Sequence, residues 1–103
     1  MAFVRVAKAT DVPVGEIRQV SVGGKPIALA NVGGTFHAID GTCLHRGGPL
    51  GEGTLEGTVV TCPWHGWQFD VLTGKSTLNP AAGVACFAVE LRGDEVFVDP
   101  GGA

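Results

Sequence analysis

The sequence has no long apolar run, no excess of positive charge and no long amphipathic helical pattern. Its most apolar stretch, residues 81–89, is far shorter than the roughly 20 residues that a membrane-spanning helix needs. The first residues also lack a signal-peptide pattern, so we expect a cytoplasmic protein. Seven Lys and Arg against ten Asp and Glu give a formal net charge of -3, which argues against nucleic acid and anionic membranes as partners.

Cysteine is also scarce, and its number is odd. The three cysteines are Cys43, Cys62 and Cys86. An odd number in a reducing compartment argues against a disulfide framework and favours metal binding or catalysis. We expect Cys86, which lies in an apolar strand, to act as a small core residue. His37, beside Phe36, is expected to pack on a strand surface.

The two ends of the chain predict an all-β fold. Strands are expected at residues 3–8, 17–22, 26–32 and 35–39. Gly23-Gly24 and Gly33-Gly34 supply the positive φ that tight hairpin turns need, so strands two to four should form a meander. A closing hairpin is expected from residues 83–93 and 95–99. Its first strand is apolar until Glu90 and is therefore expected to be central.

The middle of the chain differs from both ends. Residues 40–80 are rich in Gly, Pro and Trp and contain only two short strand candidates, at 58–62 and 67–70. The chain is the size of a single domain, with room for one modest core. The pattern therefore predicts an antiparallel β base with an inserted subdomain of loops and short strands that carries the chemistry.

Two cysteine–histidine pairs lie in this middle segment. Cys43 and His45 form C-x-H, Cys62 and His65 form C-x-x-H, and sixteen residues separate the pairs. Such short spacings let one loop present two donors to a metal. The set suits a structural zinc ion in a closed tetrahedron. It also suits a [2Fe–2S] cluster with two thiolates on one iron and two imidazoles on the other.

C-x-H followed by C-P-W-H-G-W-x-F-D resembles the Rieske ferredoxins and Rieske domains of bacterial ring-hydroxylating oxygenase systems. The resemblance covers nearly the whole chain. It implies one Rieske domain over residues 1–103, with a base at about 1–39 and 81–103 and a cluster-binding part at about 40–80. It also implies one [2Fe–2S] cluster per chain. By resemblance, Cys43 and Cys62 bind the inner iron, while His45 and His65 bind the outer one.

Residues near the predicted ligands should shape the surroundings of the cluster. Glycines let backbone N–H groups approach the sulfur atoms, prolines stiffen the loops, and bulky apolar side chains exclude water. The residues expected around the cluster are Arg46, Gly47, Gly48, Trp64, Gly66, Trp67 and Pro80. Leu50, Trp64, Trp67 and Phe69 are expected to exclude water from the inner iron.

The sequence also departs from the high-potential, membrane-bound Rieske proteins. Those proteins join the two loops by a disulfide, and the matching positions here are Gly48 and Trp64. They also place a serine and a tyrosine hydroxyl near the cluster sulfurs, where this chain has Trp67 and Phe69. The chain contains no tyrosine. Fewer donors to the sulfurs predict a low reduction potential, which argues against a respiratory bc-type subunit.

The resemblance implies an electron carrier that is not itself an enzyme. It would be a monomer that binds a flavin-dependent ferredoxin reductase and a terminal Rieske oxygenase transiently. One alternative is the Rieske-like small subunit of an assimilatory nitrite reductase, which would co-purify with a large subunit. A second is a structural zinc module, which would be colourless and redox-silent.

Overall fold

The computed structural model describes residues 3–42, 48–64, 66–77 and 82–99, and just over half of these residues lie in antiparallel strands. Two short 3-10 turns, Ala9–Asp11 and Leu50–Glu52, interrupt them. In chain order the strands are β1 Val4–Lys8, β2 Ile17–Val22, β3 Lys25–Val32, β4 Thr35–Asp40, β5 Thr54–Glu56, β6 Val59–Thr61, β7 Gln68–Asp70, β8 Cys86–Arg92 and β9 Glu95–Asp99. This architecture confirms the predicted all-β class.

Strands from both ends of the chain make one six-stranded sheet in the order β1-β9-β8-β4-β3-β2. As the sequence predicts, β2, β3 and β4 form a meander. The turn residues Gly23 and Gly24 have φ of 58° and 82°, and Gly33 and Gly34 have φ of 60° and 97°. Positive φ at both central residues matches the right-handed twist of hairpin strands, so the paired glycines fix both turns.

The inserted middle forms a second, three-stranded sheet in the order β5-β6-β7. The sequence predicts β6 and β7 to within two residues but misses β5. A segment of three residues is too short for the alternation of polar and apolar side chains that indicates a strand. Pairing of Thr54 with Thr61 and of Glu56 with Val59 defines it instead, so tertiary context rather than local pattern makes this strand.

Strand β3 separates two apolar cores because both of its faces are buried. Ala28 and Ala30 point into a core shared with the inserted sheet, whereas Ile27 and Leu29 point into a core within the base. The shared core also contains Ile17, Ile39, Leu50, Val60, Cys62, Phe69 and Val71. The inserted sheet is therefore packed directly on the base through a core that includes the predicted ligand Cys62.

Strand β8 occupies the central position that its apolar sequence predicts, between β9 and β4. It is less buried than that sequence suggests, because β4 pairs with it only at Ala38–Phe87 and Ile39–Cys86. Beyond these pairs β8 pairs only with β9, and Leu91 remains 48% exposed. Within the described ranges, no helix has the length and apolarity needed to cross a membrane.

Candidate metal centre

The loop that carries the second cysteine–histidine pair is closed by backbone hydrogen bonds. Cys62 follows the end of β6, and its N–H donates to the Trp67 carbonyl oxygen at 2.7 Å. The Gly66 N–H donates back to the Cys62 carbonyl oxygen at 3.2 Å. Gly66 has φ of 75°, a left-handed conformation that favours glycine. The predicted ligand His65 belongs to this loop in sequence but lies outside the described residues.

The first pair belongs to a loop whose two ends are held together. Thr42 and Pro49 form an antiparallel bridge, and the Leu50 N–H donates to the Gly41 carbonyl oxygen at 2.9 Å. The predicted residues Cys43, His45, Arg46 and Gly47 lie outside the described residues, as does Pro80. The structure therefore places the base of this loop and leaves its ligand assignment a prediction.

Gly48 brings the two loops into contact. A methyl group built on its Cα would lie 2.8 Å from Cys62 Sγ and 3.0 Å from Cγ of the Trp64 indole. Carbon does not approach sulfur or carbon so closely, so only glycine fits here without a shift of its neighbours. The backbone of the first loop thus lies directly against the cysteine sulfur of the second. This close approach fits the predicted sharing of one metal group by both loops.

The sulfur of Cys62 lies in apolar surroundings. Cys62 is 2% exposed, and Leu50 and Phe69 in the same core are fully buried. The ring of Trp67 lies 6.4 Å from that of Phe69 at a tilt of 32° and covers part of this core. A soft, buried thiolate is a suitable ligand for an iron–sulfur cluster or zinc.

The expectation that Trp64 excludes water is only partly met, because its side chain is 58% exposed. Its indole packs against Gly48, yet the residue stands in the turn between β6 and β7 at the protein surface. A ring that touches one loop on one side is left open to solvent on the other. The shielding of Cys62 therefore comes from Leu50, Phe69 and Gly48.

Across the part of the chain that the structure describes, no group of three or more His, Cys, Asp and Glu could hold a metal. This follows from the placement of the predicted ligands, since Cys62 is the only one of the four within those residues. Two carboxylates of this region accept hydrogen bonds from the backbone two residues further along the chain. Asp40 accepts from the Thr42 N–H at 3.0 Å, and Asp70 accepts from the Leu72 N–H at 2.8 Å.

Gln19 is a residue of this region that the sequence analysis did not identify. It lies on β2, yet its side-chain amide bonds to Gly41 and Gly51, on either side of the first loop. A glutamine within an alternating strand carries no local signal of such a role. Only the fold brings β2 beside residues that are distant in sequence.

His37 and Cys86 lie on the base sheet, as predicted. His37 is half-buried and pairs with Ala30 of β3, and Cys86 begins β8 opposite Ile39. Cys86 packs against the shared core from a partly buried position. Burial raises the pKa of its thiol, and the nearby Asp70 carboxylate raises it further.

This raised pKa predicts slow chemical labelling of Cys86. Because the thiolate is the reactive form, iodoacetamide should add to Cys86 of the iron-loaded protein more slowly than to free cysteine at neutral pH. The rate should increase only in the alkaline range. Mass spectrometry with pH as the variable gives the rate, and Cys86→Ser should remove this addition without loss of iron. Labelling at neutral pH as fast as that of free cysteine would contradict the expected burial.

The sequence profile of the Rieske [2Fe-2S] domain matches residues 2–88 of the chain. Two curated relatives are similar over almost their whole length. Ferredoxin CarAc of Metapseudomonas resinovorans is 41% identical over 93% of this chain and 92% of its own. The ferredoxin component of biphenyl 2,3-dioxygenase from Rhodococcus jostii (strain RHA1) is 41% identical over 96% of this chain and 94% of its own.

A solved structure is similar in both sequence and fold. It is the complex of reduced oxygenase and oxidized ferredoxin in carbazole 1,9a-dioxygenase, in which one chain is 41% identical to this protein with a TM-score of 0.84. The alignment covers 93% of this chain and 91% of that one. The match therefore includes the base and the inserted sheet together.

Proposed function

The chain belongs to the Rieske [2Fe–2S] family, and from that premise we propose that it passes single electrons from a flavin-dependent reductase to a terminal Rieske oxygenase. Family membership confirms the predicted cofactor, one [2Fe–2S] cluster per chain. It also confirms the predicted role of electron carrier, because the full-length relatives at 41% identity are ferredoxins. That similarity is the observation on which the proposed partners rest.

We propose that Cys43 and Cys62 bind one iron and that His45 and His65 bind the other. When bound, the cluster supplies a reversible one-electron couple. The buried Sγ of Cys62 supports this assignment, because Gly48 of the first loop lies directly against it. Two loops that meet at a ligand sulfur, the backbone of one against the side chain of the other, are positioned to share one metal group.

The surroundings that we propose for the cluster also include residues outside the described ranges. The full set is Arg46, Gly47, Gly48, Trp64, Gly66, Trp67 and Pro80. Two of the described members support it directly: Gly48 permits the close contact of the loops, and Gly66 permits the turn that closes the second loop. Phe69 is fully buried and its ring has no hydrogen-bond donor, which supports a potential at the low end of the Rieske range.

The two sheets correspond to the two parts of the proposed domain, the base and the cluster-binding part. We propose that the six-stranded sheet is the base, at about residues 1–39 and 81–103, and that residues of about 40–80 form the cluster-binding part. The shared core supports this division, since Ala28 and Ala30 of the base pack with Val60 and Phe69 of the inserted sheet. The base thereby holds the second loop through the strands that flank it.

Electron delivery to an oxygenase tests the proposed partners. The purified protein should be reddish-brown and should give a Rieske-type EPR signal when reduced. The reduced protein is then mixed with the terminal oxygenase of the carbazole 1,9a-dioxygenase system and, separately, with the large subunit of an assimilatory nitrite reductase. We expect oxidation by the oxygenase. Transfer to the nitrite reductase alone would overturn the proposal, and a colourless zinc protein would overturn the cofactor as well.

Docking should depend on salt. The net charge is -3, and Glu52, at the end of the Leu50–Glu52 turn, and Glu56, the last residue of β5, are exposed. Between ionic strengths of about 0.01 M and about 1 M the screening length falls from about 30 Å to about 3 Å. We therefore expect the second-order rate of electron transfer to the oxygenase to decrease over this range, as stopped-flow measurements can show.

The same experiment identifies the carboxylates that contribute to docking with the oxygenase. Glu52→Gln and Glu56→Gln should flatten the salt dependence, whereas Glu90→Gln serves as the control. Glu90 is also exposed but is paired with Arg92 on the β8–β9 hairpin, at 3.1 Å. A rate that is independent of salt in the native protein would indicate an apolar docking surface instead.

A further inference from the structure

The side chain of Gln19 links the two ends of the first loop. Its Nε2 donates to the Gly41 carbonyl oxygen at 3.0 Å, and its Oε1 accepts from the Gly51 N–H at 2.7 Å. Gly41 stands two residues before Cys43, and Gly51 stands three residues after Gly48. One amide of the base sheet therefore bonds to the chain both where it enters and where it leaves the loop.

Both bonding partners are glycines, and neither position has room for a Cβ while Gln19 keeps this conformation. A methyl group on Gly41 would lie 2.6 Å from Gln19 Nε2, and one on Gly51 would lie 2.4 Å from Gln19 Cα. Gly41 and Gly51 are buried, so their backbone groups have little access to water. Without the amide, the Gly51 N–H loses its partner, which is unfavourable for a buried group, whereas the Gly41 carbonyl oxygen still accepts from the Leu50 N–H. Gly41 and Gly51 both lie in close contact with Gln19.

The segment that follows the first loop also packs against the strand that precedes the second loop. The Gly53 N–H donates to the Leu50 carbonyl oxygen at 3.0 Å, and a methyl group on Gly53 would lie 2.0 Å from the Thr61 carbonyl oxygen. Thr61 immediately precedes Cys62. The segment that Gln19 holds is thus packed against the strand that ends at the second loop's cysteine.

We propose that Gln19 is a positioning residue for the cluster, because its amide fixes the separation of the two ends of the loop that carries Cys43 and His45. This inference rests on the proposed ligand assignment. Gln19 acts through Gly41 and Gly51, the residues to which its amide is bonded. Without the amide, the loop base keeps the Leu50–Gly41 hydrogen bond but loses its two hydrogen bonds to the side chain of Gln19 on β2. The loop then has more freedom, which should change the geometry at the metal and release iron more readily.

The test variant is Gln19→Met, which keeps side-chain length but has neither amide donor nor carbonyl acceptor. A hydrogen bond left unmade in a partly buried place changes a rate or equilibrium by roughly tenfold, or about 1.4 kcal/mol. We therefore expect iron loss to a chelator about tenfold faster than in the native protein. We also expect shifted g-values in the EPR spectrum of the reduced protein and a shifted reduction potential.

Asn31→Leu is the matched control. Asn31 lies on the neighbouring strand β3 and is 5% exposed. Its amide also joins two backbone groups: Nδ2 donates to the Val12 carbonyl oxygen at 2.8 Å, and Oδ1 accepts from the Gly34 N–H at 2.9 Å. Neither partner belongs to a cluster loop. Asn31→Leu should lower the melting temperature while g-values and potential stay native.

The outcomes separate the two proposals. A native protein without a Rieske-type EPR signal would overturn the proposed function and this inference with it. In an iron-loaded protein, native g-values, potential and iron-loss rate in Gln19→Met would overturn the inference alone. So would iron loss in both variants in proportion to lost stability, with spectra unchanged. If Gln19→Met does not fold, Gln19→Glu keeps the acceptor for Gly51 and is judged by the same readouts.

Discussion

Replacing Cys62 with serine is expected to leave the protein with almost no iron. The cysteine sulfur is buried, lies against the backbone of Gly48 and is held by a loop closed through Trp67. A serine oxygen forms shorter bonds and is a poor match for a thiolate site built around sulfur. Cys86, the other cysteine that the structure describes, begins β8 on the base sheet.

Iron and acid-labile sulfide per chain, with the EPR spectrum of the reduced protein, measure the effect. We expect Cys62→Ser to retain less than about a tenth of the native cluster, since the energy of metal binding is also folding energy for such loops. Cys86→Ser makes the same chemical change on the base sheet and should retain full iron content. A complete cluster with an unchanged spectrum in Cys62→Ser would contradict the ligand assignment.

The base sheet could be predicted from the sequence because its signals are local. Gly23-Gly24 and Gly33-Gly34 fix two hairpins, and β2 runs over the same residues, Ile17–Val22, that its pattern predicts. The central position of β8 was also predictable from its apolar sequence. Its exposure was not, because β4 pairs with it at only two positions, and the extent of pairing between two strands is not specified by the sequence of either strand alone.

The candidate site likewise contains some features that the local sequence predicts and others that only the folded structure shows. The spacing of Cys62 and His65 with glycine and tryptophan is a short pattern that can be recognised without a structure. The close approach of Gly48 to Cys62 Sγ and the reach of Gln19 to Gly41 join residues that are distant in sequence. Such contacts follow from packing, and neither propensity nor periodicity specifies them. The sequence therefore predicts the ligands but not the residues that hold their loops in place.

Strand β3 explains why the inserted sheet and the base act as one structure. Its alternating residues belong to different cores, with Ala28 and Ala30 on the side of the inserted sheet. Alanine on this face leaves room for the larger Leu50, Val60 and Phe69 of the opposing layer. Because these side chains lie close to Cys62 and both loop bases, the packing of β3 helps to place the metal site.

Gly48→Ala is expected to have the second largest effect, a severe loss of cluster from a protein whose base still folds. The added methyl group would lie 2.8 Å from Cys62 Sγ and 3.0 Å from Cγ of Trp64. Cys62 cannot move freely, since it is buried and its N–H is bonded to Trp67, whereas the indole of Trp64 is 58% exposed and can shift. Overpacking of this kind costs about 1–3 kcal/mol. If the strain falls on the cluster-bound form, occupancy should decrease by roughly tenfold or more.

Two further variants decide whether the contact with sulfur causes that loss. Gly93→Ala introduces the same methyl group in the β8–β9 turn, where φ is 63° and nothing lies within 4 Å; it should lower the melting temperature and leave iron content native. Trp64→Ala in the Gly48→Ala background removes the indole contact but leaves the sulfur contact. It should therefore restore little of the cluster. Full recovery of iron and of the EPR signal in the double variant would show that the indole, rather than Cys62 Sγ, limits the approach of the two loops.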